Sequence, residues 1–131
     1  MPDKVENIRE ILNQIREKNH PIVKEVVLVS EDGLSIHSTF EYERTESLVS
    51  ILSQLTFELA KRFMRDAKHE EISQLLISSN RSKIFLKPIT PKIVLTIIIE
   101  TEAKVYKIKY INSAIASIKK IYKKYSEVKI G

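Results

Sequence analysis

Residues 22–40 read IVKEVVLVSEDGLSIHSTF, and this stretch decides the architecture. Four apolar residues follow one another from Val26 to Val29, which suits a strand covered on both faces, because a strand with one wet face alternates apolar and polar side chains. Asp32-Gly33 then gives a two-residue hairpin signal, its glycine accepting the positive φ that primed turns require. Beyond the turn the pattern alternates. Leu34, Ile36, Ser38 and Phe40 fall on one side and Ser35, His37, Thr39 and Glu41 on the other, so the second strand buries one face and belongs near a sheet edge.

Outward from this hairpin, Val5, Ile8, Ile11, Leu12 and Ile15 recur at spacings of three and four. They predict a helix over 4–19 with Asp3 as N-cap, ended by Asn19-His20-Pro21 because residues before proline avoid the helical region. The hairpin strands are expected over 23–31 and 34–40. A polar connection leads to Thr45 as candidate cap of a second helix over 46–65. Strands are predicted over 70–79, 83–89 and 92–101, with turns at 79–82 and 90–91. Ile93 to Ile99 is apolar at nearly every position and should lie beside the first strand at the sheet's centre. A last helix over 112–127 sets Ile111, Ala114, Ile115, Ile118, Tyr122 and Tyr125 on one side and Lys119, Lys120, Lys123 and Lys124 towards water. Residues 1–131 thus read as a single domain without linker or repeat. Its order is α-β-β-α-β-β-β-α, an α/β (α+β) fold with a five-stranded, mainly antiparallel sheet sandwiched by helices.

Composition narrows the function. The 131 residues are 43% hydrophobic, enough for one core without metal or disulfide. The absence of cysteine removes thiolate nucleophiles and cysteine-ligated zinc and fits a reducing compartment. The charged start, MPDKVENIRE, is not that of a signal peptide, and no apolar run has the length of a membrane span, so a cytoplasmic location is expected. Abundant Ile, Lys and Glu lean towards a thermophilic source. The net charge of +5 permits an acidic partner, although interspersed Lys and Glu also describe an ordinary solvated surface.

No catalytic pattern emerges, and neither enzyme activity nor a cofactor is expected. Gly33 is the only internal glycine, which excludes a glycine-rich phosphate loop, a dinucleotide fingerprint and a nucleophile elbow. His20, His37 and His69 lack the close spacing of helical metal pairs. Glu100 and Glu102 share a strand face but read as a surface charge cluster, and Ser30, Ser35 and Ser38 have no evident base partner.

The order of elements, with an opening helix feeding into Val26, Leu28, Val29, Ser30, Asp32, Gly33, Leu34 and Ile36, resembles the roadblock and dynein light chain family from about Ile8 to Ile121. The resemblance implies a roadblock/longin/profilin-like fold with sheet order 2-1-5-4-3. It also implies a homodimer or heterodimer and association with small Ras-like GTPases, as in the bacterial MglB type, or with dynein and lysosomal scaffolds.

The second helix carries two apolar stripes. Leu48, Ile51, Leu52, Leu55, Leu59 and Phe63 form one, expected to pack on the sheet. Val49, Ser53, Phe57, Ala60 and Met64 form the other, which one sheet cannot also cover. The second stripe could lie under a loop or neighbouring helix of the same chain. Its small residues would also let two helices approach across a two-fold axis, which the resemblance favours, with Ser73, Leu75 and Ile77 on an edge strand beside that axis. The function expected is a non-catalytic dimeric adaptor or regulator of a small Ras-like GTPase. The alternative is a nucleic-acid or small-ligand module built on Lys119, Lys120, Lys123 and Lys124, with Tyr122 and Tyr125 interleaved.

Without phosphate-cradling glycines, calorimetric titration of the isolated chain with GTP or ATP is expected to give no saturable heat. Micromolar binding of either nucleotide would contradict this reading.

Overall fold

The protein is described by a computed structural model covering residues 4–103 and 105–130, with side chains for 7–103 and 105–123. Its elements are α1 (Lys4–Lys18), β1 (Val23–Val29), β2 (Ser35–Ser38), α2 (Glu43–Asp66), β3 (Leu75–Ser78), β4 (Ser82–Thr90), β5 (Ile93–Glu100) and α3 (Ile111–Ile130). The five strands form one antiparallel sheet in the order β2-β1-β5-β4-β3. The two most apolar strands sit together at its centre. Val26, Val27, Leu28 and Val29 of β1 are all fully buried, as a strand covered on both faces requires.

Alternation along β1 and β5 divides the interior into two unequal parts. Val26, Leu28, Leu95, Ile97 and Ile99 face α1 and α3, where Ile8, Leu12, Ile15, Ala114 and Ile118 complete a large core. On the other face, under α2, Phe57, Leu86 and Val94 form a smaller buried cluster edged by Ile72, Leu75 and Ile84, and strand alternation puts the buried Val27 and Val29 on this side too.

Several local expectations need correcting. The hairpin loop has three residues, Glu31-Asp32-Gly33, because Ser30 and Leu34 still bond across it and the Gly33 N–H donates to the Ser30 carbonyl at 3.0 Å. Gly33 has φ +80, and a Cβ there would lie 3.3 Å from the Ile51 Cα, so both backbone sign and closeness to α2 demand glycine. Tyr42, not Thr45, occupies the N-cap of α2, in extended backbone and with no side-chain cap bond. Glu43 and Glu46 in the first turn favour the positive helix end instead. Glu46 also accepts a bond from the Ser38 hydroxyl, which ties this end to β2. The edge strand is confined to 75–78, since Glu70 and Glu71 are exposed charges outside the ladder. The expected cap Asp3 lies outside the described residues.

Asn19 joins the two ends of the larger core. Its side-chain amide donates to the Ile15 carbonyl at 2.7 Å and the Lys109 carbonyl at 2.9 Å, while its oxygen accepts from the Lys109 N–H at 2.6 Å. This clasp holds the irregular segment that leads into α3, where Tyr110 adopts a left-handed φ of 72.

Because Asn19 is buried and answers both backbone groups of Lys109, Asn19→Ala is expected to destabilise the chain by about 1–3 kcal/mol in urea unfolding. A loss below about 0.5 kcal/mol, the usual range of surface substitutions, would show that the clasp contributes nothing.

Candidate interaction face

The outward side of α2 is the most unusual surface of the molecule. Leu48, Ile51, Leu52, Leu55, Leu59 and Phe63 are between 47% and 73% exposed. They lie on one helical stripe, and Ile77 of β3 continues the patch at 45% exposure. A groove of about 530 Å³ runs between the helix and β3, with Leu59, Phe63, Met64, Ile72, Leu75 and Ile77 among its walls. Scattered exposed apolar residues need no explanation, but a contiguous stripe marks a surface that another apolar surface covers.

The structure reverses the expected facing of the two stripes. Ser50, Ser53, Gln54 and Phe57 are the buried residues of α2, and the leucine stripe points away from the sheet. Phe57 is 2% exposed and packs with Leu86 and Val94. Ser53 is buried as well, so neither residue is available to another chain. Val49, Ala60 and Met64 are half-buried at the margins of the packed face, Leu75 is half-buried, and Ser73 and Ile77 are exposed.

Hydrogen bonding explains the reversal. The Thr96 hydroxyl donates to Ser53 Oγ at 2.9 Å, both groups buried. The Gln54 amide donates to the Ser30 carbonyl at 2.7 Å and the Lys92 carbonyl at 3.2 Å, bridging the ends of β1 and the β4–β5 turn. Thr96 stands mid-way along β5 and is fully buried, and a leucine facing it would leave its hydroxyl unpaired at a cost of about 1–3 kcal/mol. Short polar side chains therefore occupy the sheet side. Ser50 Oγ, also buried, has no partner among the described residues.

The remaining candidate residues stay apart from this face. Lys119, Lys120 and Lys123 are exposed on α3, whereas the Tyr122 ring packs against the larger core and burial pushes its hydroxyl pKa above the ordinary value. That ring is engaged in packing and does not offer a stacking face. The side chains of Lys124 and Tyr125 lie outside the described residues. His37 is half-buried on β2, opposite Leu28. Glu100 and Glu102 flank Arg81 at 3.8 and 3.5 Å in exposed ion pairs. Among the described residues no three His, Cys, Asp or Glu side chains are grouped to hold a metal, and no helix is long and apolar enough to cross a membrane. Residues that sequence reasoning passed over are Ser50, Gln54 and Thr96. Their signal was the spacing Ser50, Ser53, Gln54, Phe57, which has the same helical period as the leucines.

The Roadblock/LC7 domain model matches residues 12–99. Among solved structures, Myxococcus xanthus MglB superposes with a TM-score of 0.81 at 13% identity, covering 95% of this chain and 93% of that one. The gliding protein MglB of Thermus thermophilus gives 0.78 at 10%, covering 95% and 94%. A Roadblock/LC7 domain from Streptomyces avermitilis gives 0.74 at 15%, covering 91% and 97%. At these identities the likeness establishes the fold. No curated protein sequence matches the chain.

The two faces of α2 are separable by mutation. Phe57→Glu buries an unpaired carboxylate and is expected to unfold the chain, since the penalty takes up much of a stability of about 5–15 kcal/mol. Phe63→Glu, on the outward stripe, is expected to keep a wild-type circular dichroism spectrum. Should Phe57→Glu fold normally while Phe63→Glu does not, the facing described here is wrong.

Proposed function

The chain belongs to the Roadblock/LC7 domain family, and from that premise we propose that it is a non-catalytic dimeric adaptor that binds a small Ras-like GTPase. The observation that carries the dimer is the outward apolar stripe of α2 lying beside β3, the last strand of the sheet. In this reading two copies of α2 meet across a two-fold axis through Leu52, Leu55, Leu59 and Phe63. The β3 edges, with their outer backbone groups unpaired, join into one continuous sheet.

Magnitudes support this arrangement. Full burial of a leucine-sized side chain stabilises by about 1.5–3 kcal/mol, so covering the exposed half of each contributes about 1 kcal/mol. The four residues that meet across the axis in each subunit then contribute roughly 8 kcal/mol to the pair, within the ~4–15 kcal/mol that association costs, and pairing of the β3 edges adds to this. The core beneath α2 is smaller and more polar than that under α1 and α3, with Phe57 the one large buried side chain that the helix contributes, which gives a further reason for cover.

The GTPase partner follows from what the roadblock resemblance implies. A domain without a phosphate loop influences a nucleotide cycle by stabilising one switch conformation of its partner, which requires a rigid surface and no catalytic group. A dimer supplies such a surface in duplicate.

At micromolar concentration light scattering should report about twice 15.2 kDa. Leu55→Glu with Leu59→Glu should give folded single chains, because like charges would meet at the axis. A wild-type monomer would sink the dimer. The partner is tested separately by affinity capture from the source cells: a small GTPase retained by wild type supports the adaptor, and its absence in both GTP- and GDP-loaded lysates would overturn it.

A further inference from the structure

We infer that the cleft between β4 and the start of α3 binds a short acidic segment of a partner polypeptide, seating one large apolar side chain of that segment on its floor. The cleft measures about 460 Å³, within the range of about 300–1,000 Å³ that specific small sites occupy. It opens on the sheet face opposite α2. Phe85 on β4 points to the α1 and α3 side, whereas its neighbours Ile84 and Leu86 belong to the cluster under α2. The cleft thus lies on the other side of the sheet from the leucine stripe, and among the described residues the two surfaces meet only at Gln74, just before β3.

Its chemistry is two-sided. Phe85 and Ile108, both half-buried, form the accessible apolar floor over the buried Ile97 and Ile99, while Lys87 stands on β4 and Lys107 and Lys109 on the segment leading into α3. No carboxylate lines the cleft among the described residues, although the chain as a whole has 17 acidic residues. Positive charge here is thus unneutralised, unlike the Arg81 and Lys92 positions, which have glutamate partners. The lysines arise from separate elements on either side of the floor, which suits carboxylates spaced along a chain better than one compact phosphate. The floor argues the same way, since hydrocarbon beneath a bare phosphate would desolvate it without supplying a hydrogen bond.

The wall that carries Lys107 and Lys109 is held in place before any ligand arrives. Asn19 clasps the backbone of Lys109, and the Lys18 ammonium lies 4.1 Å from the centroid of the Tyr110 ring. Such pre-organisation reduces the ordering cost of binding. Electrostatic attraction between the lysines and the acidic segment speeds encounter, and the apolar side chain slows release.

The test is selection of a displayed random heptapeptide library on the wild-type chain, followed by fluorescence anisotropy of the enriched peptides. Sequences with at least two acidic residues flanking an aromatic or leucine are expected. Their affinity should fall at least tenfold in Lys87→Glu/Lys107→Glu/Lys109→Glu and in the milder pair Lys107→Glu/Lys109→Glu, whose side chains are both exposed. Nuclear magnetic resonance shifts on peptide addition should centre on Phe85, Ile97 and Ile108. Enriched peptides without acidic residues, or equal binding to the folded variants, would overturn the inference. So would binding confined to phosphatidylserine vesicles with no peptide recognised, which would assign the lysines to a membrane surface.

Discussion

The hydroxyl of Thr96, fully buried in the middle of β5, sets how the second helix lies on the sheet. Thr96 itself is fully buried, out of reach of water, so the hydroxyl needs a protein partner, and Ser53 supplies it. With Ser53 down, Gln54 and Phe57 follow on the same helical face, and the leucines one step round the helix are turned outward. One buried hydrogen bond thus accounts for which of two apolar stripes faces outward.

The consequence is a molecule with two different faces. Under α1 and α3 a large aliphatic core closes the sheet, sealed by the Asn19 clasp. Under α2 the core is small and partly polar, and the apolar material lies on the outside of the helix. The first face holds the larger core and, beside α3, a lysine-rimmed cleft; the second presents the exposed leucine stripe that the proposed dimer would cover.

Much of the fold was legible in the chain. The continuous apolar runs Val26–Val29 and Ile93–Ile99 placed β1 and β5 side by side inside the sheet. The alternation after Gly33 placed β2 at an edge, which it occupies, but β2 is half-buried on both sides and Leu34, expected on its buried face, is 66% exposed. The family resemblance carried the strand order, with the same eight residues around Asp32-Gly33. The facing of α2 was not legible in the same way. Hydrophobic patterning ranks faces by greasiness, and the leucine stripe wins that comparison; only the three-dimensional meeting of Ser53 with Thr96 reverses it. The short β3 was overextended for a related reason, since Glu70 to Gln74 has no backbone partner to make it a strand. The cleft was invisible because its lysines are separated by some twenty residues and converge only through the sheet and the clasped segment.

The central claim is that the outward stripe of α2 meets its own copy. The chain has no cysteine, so Glu58→Cys, at an exposed polar position beside the stripe, takes a single nitroxide label per chain. Pulsed electron spin resonance of this labelled protein reads the distance between labels on paired chains. The account predicts one narrow distance distribution, as two α2 helices related by a two-fold axis require. A featureless decay of uncorrelated spins, or a distance too long for two facing helices, would contradict it.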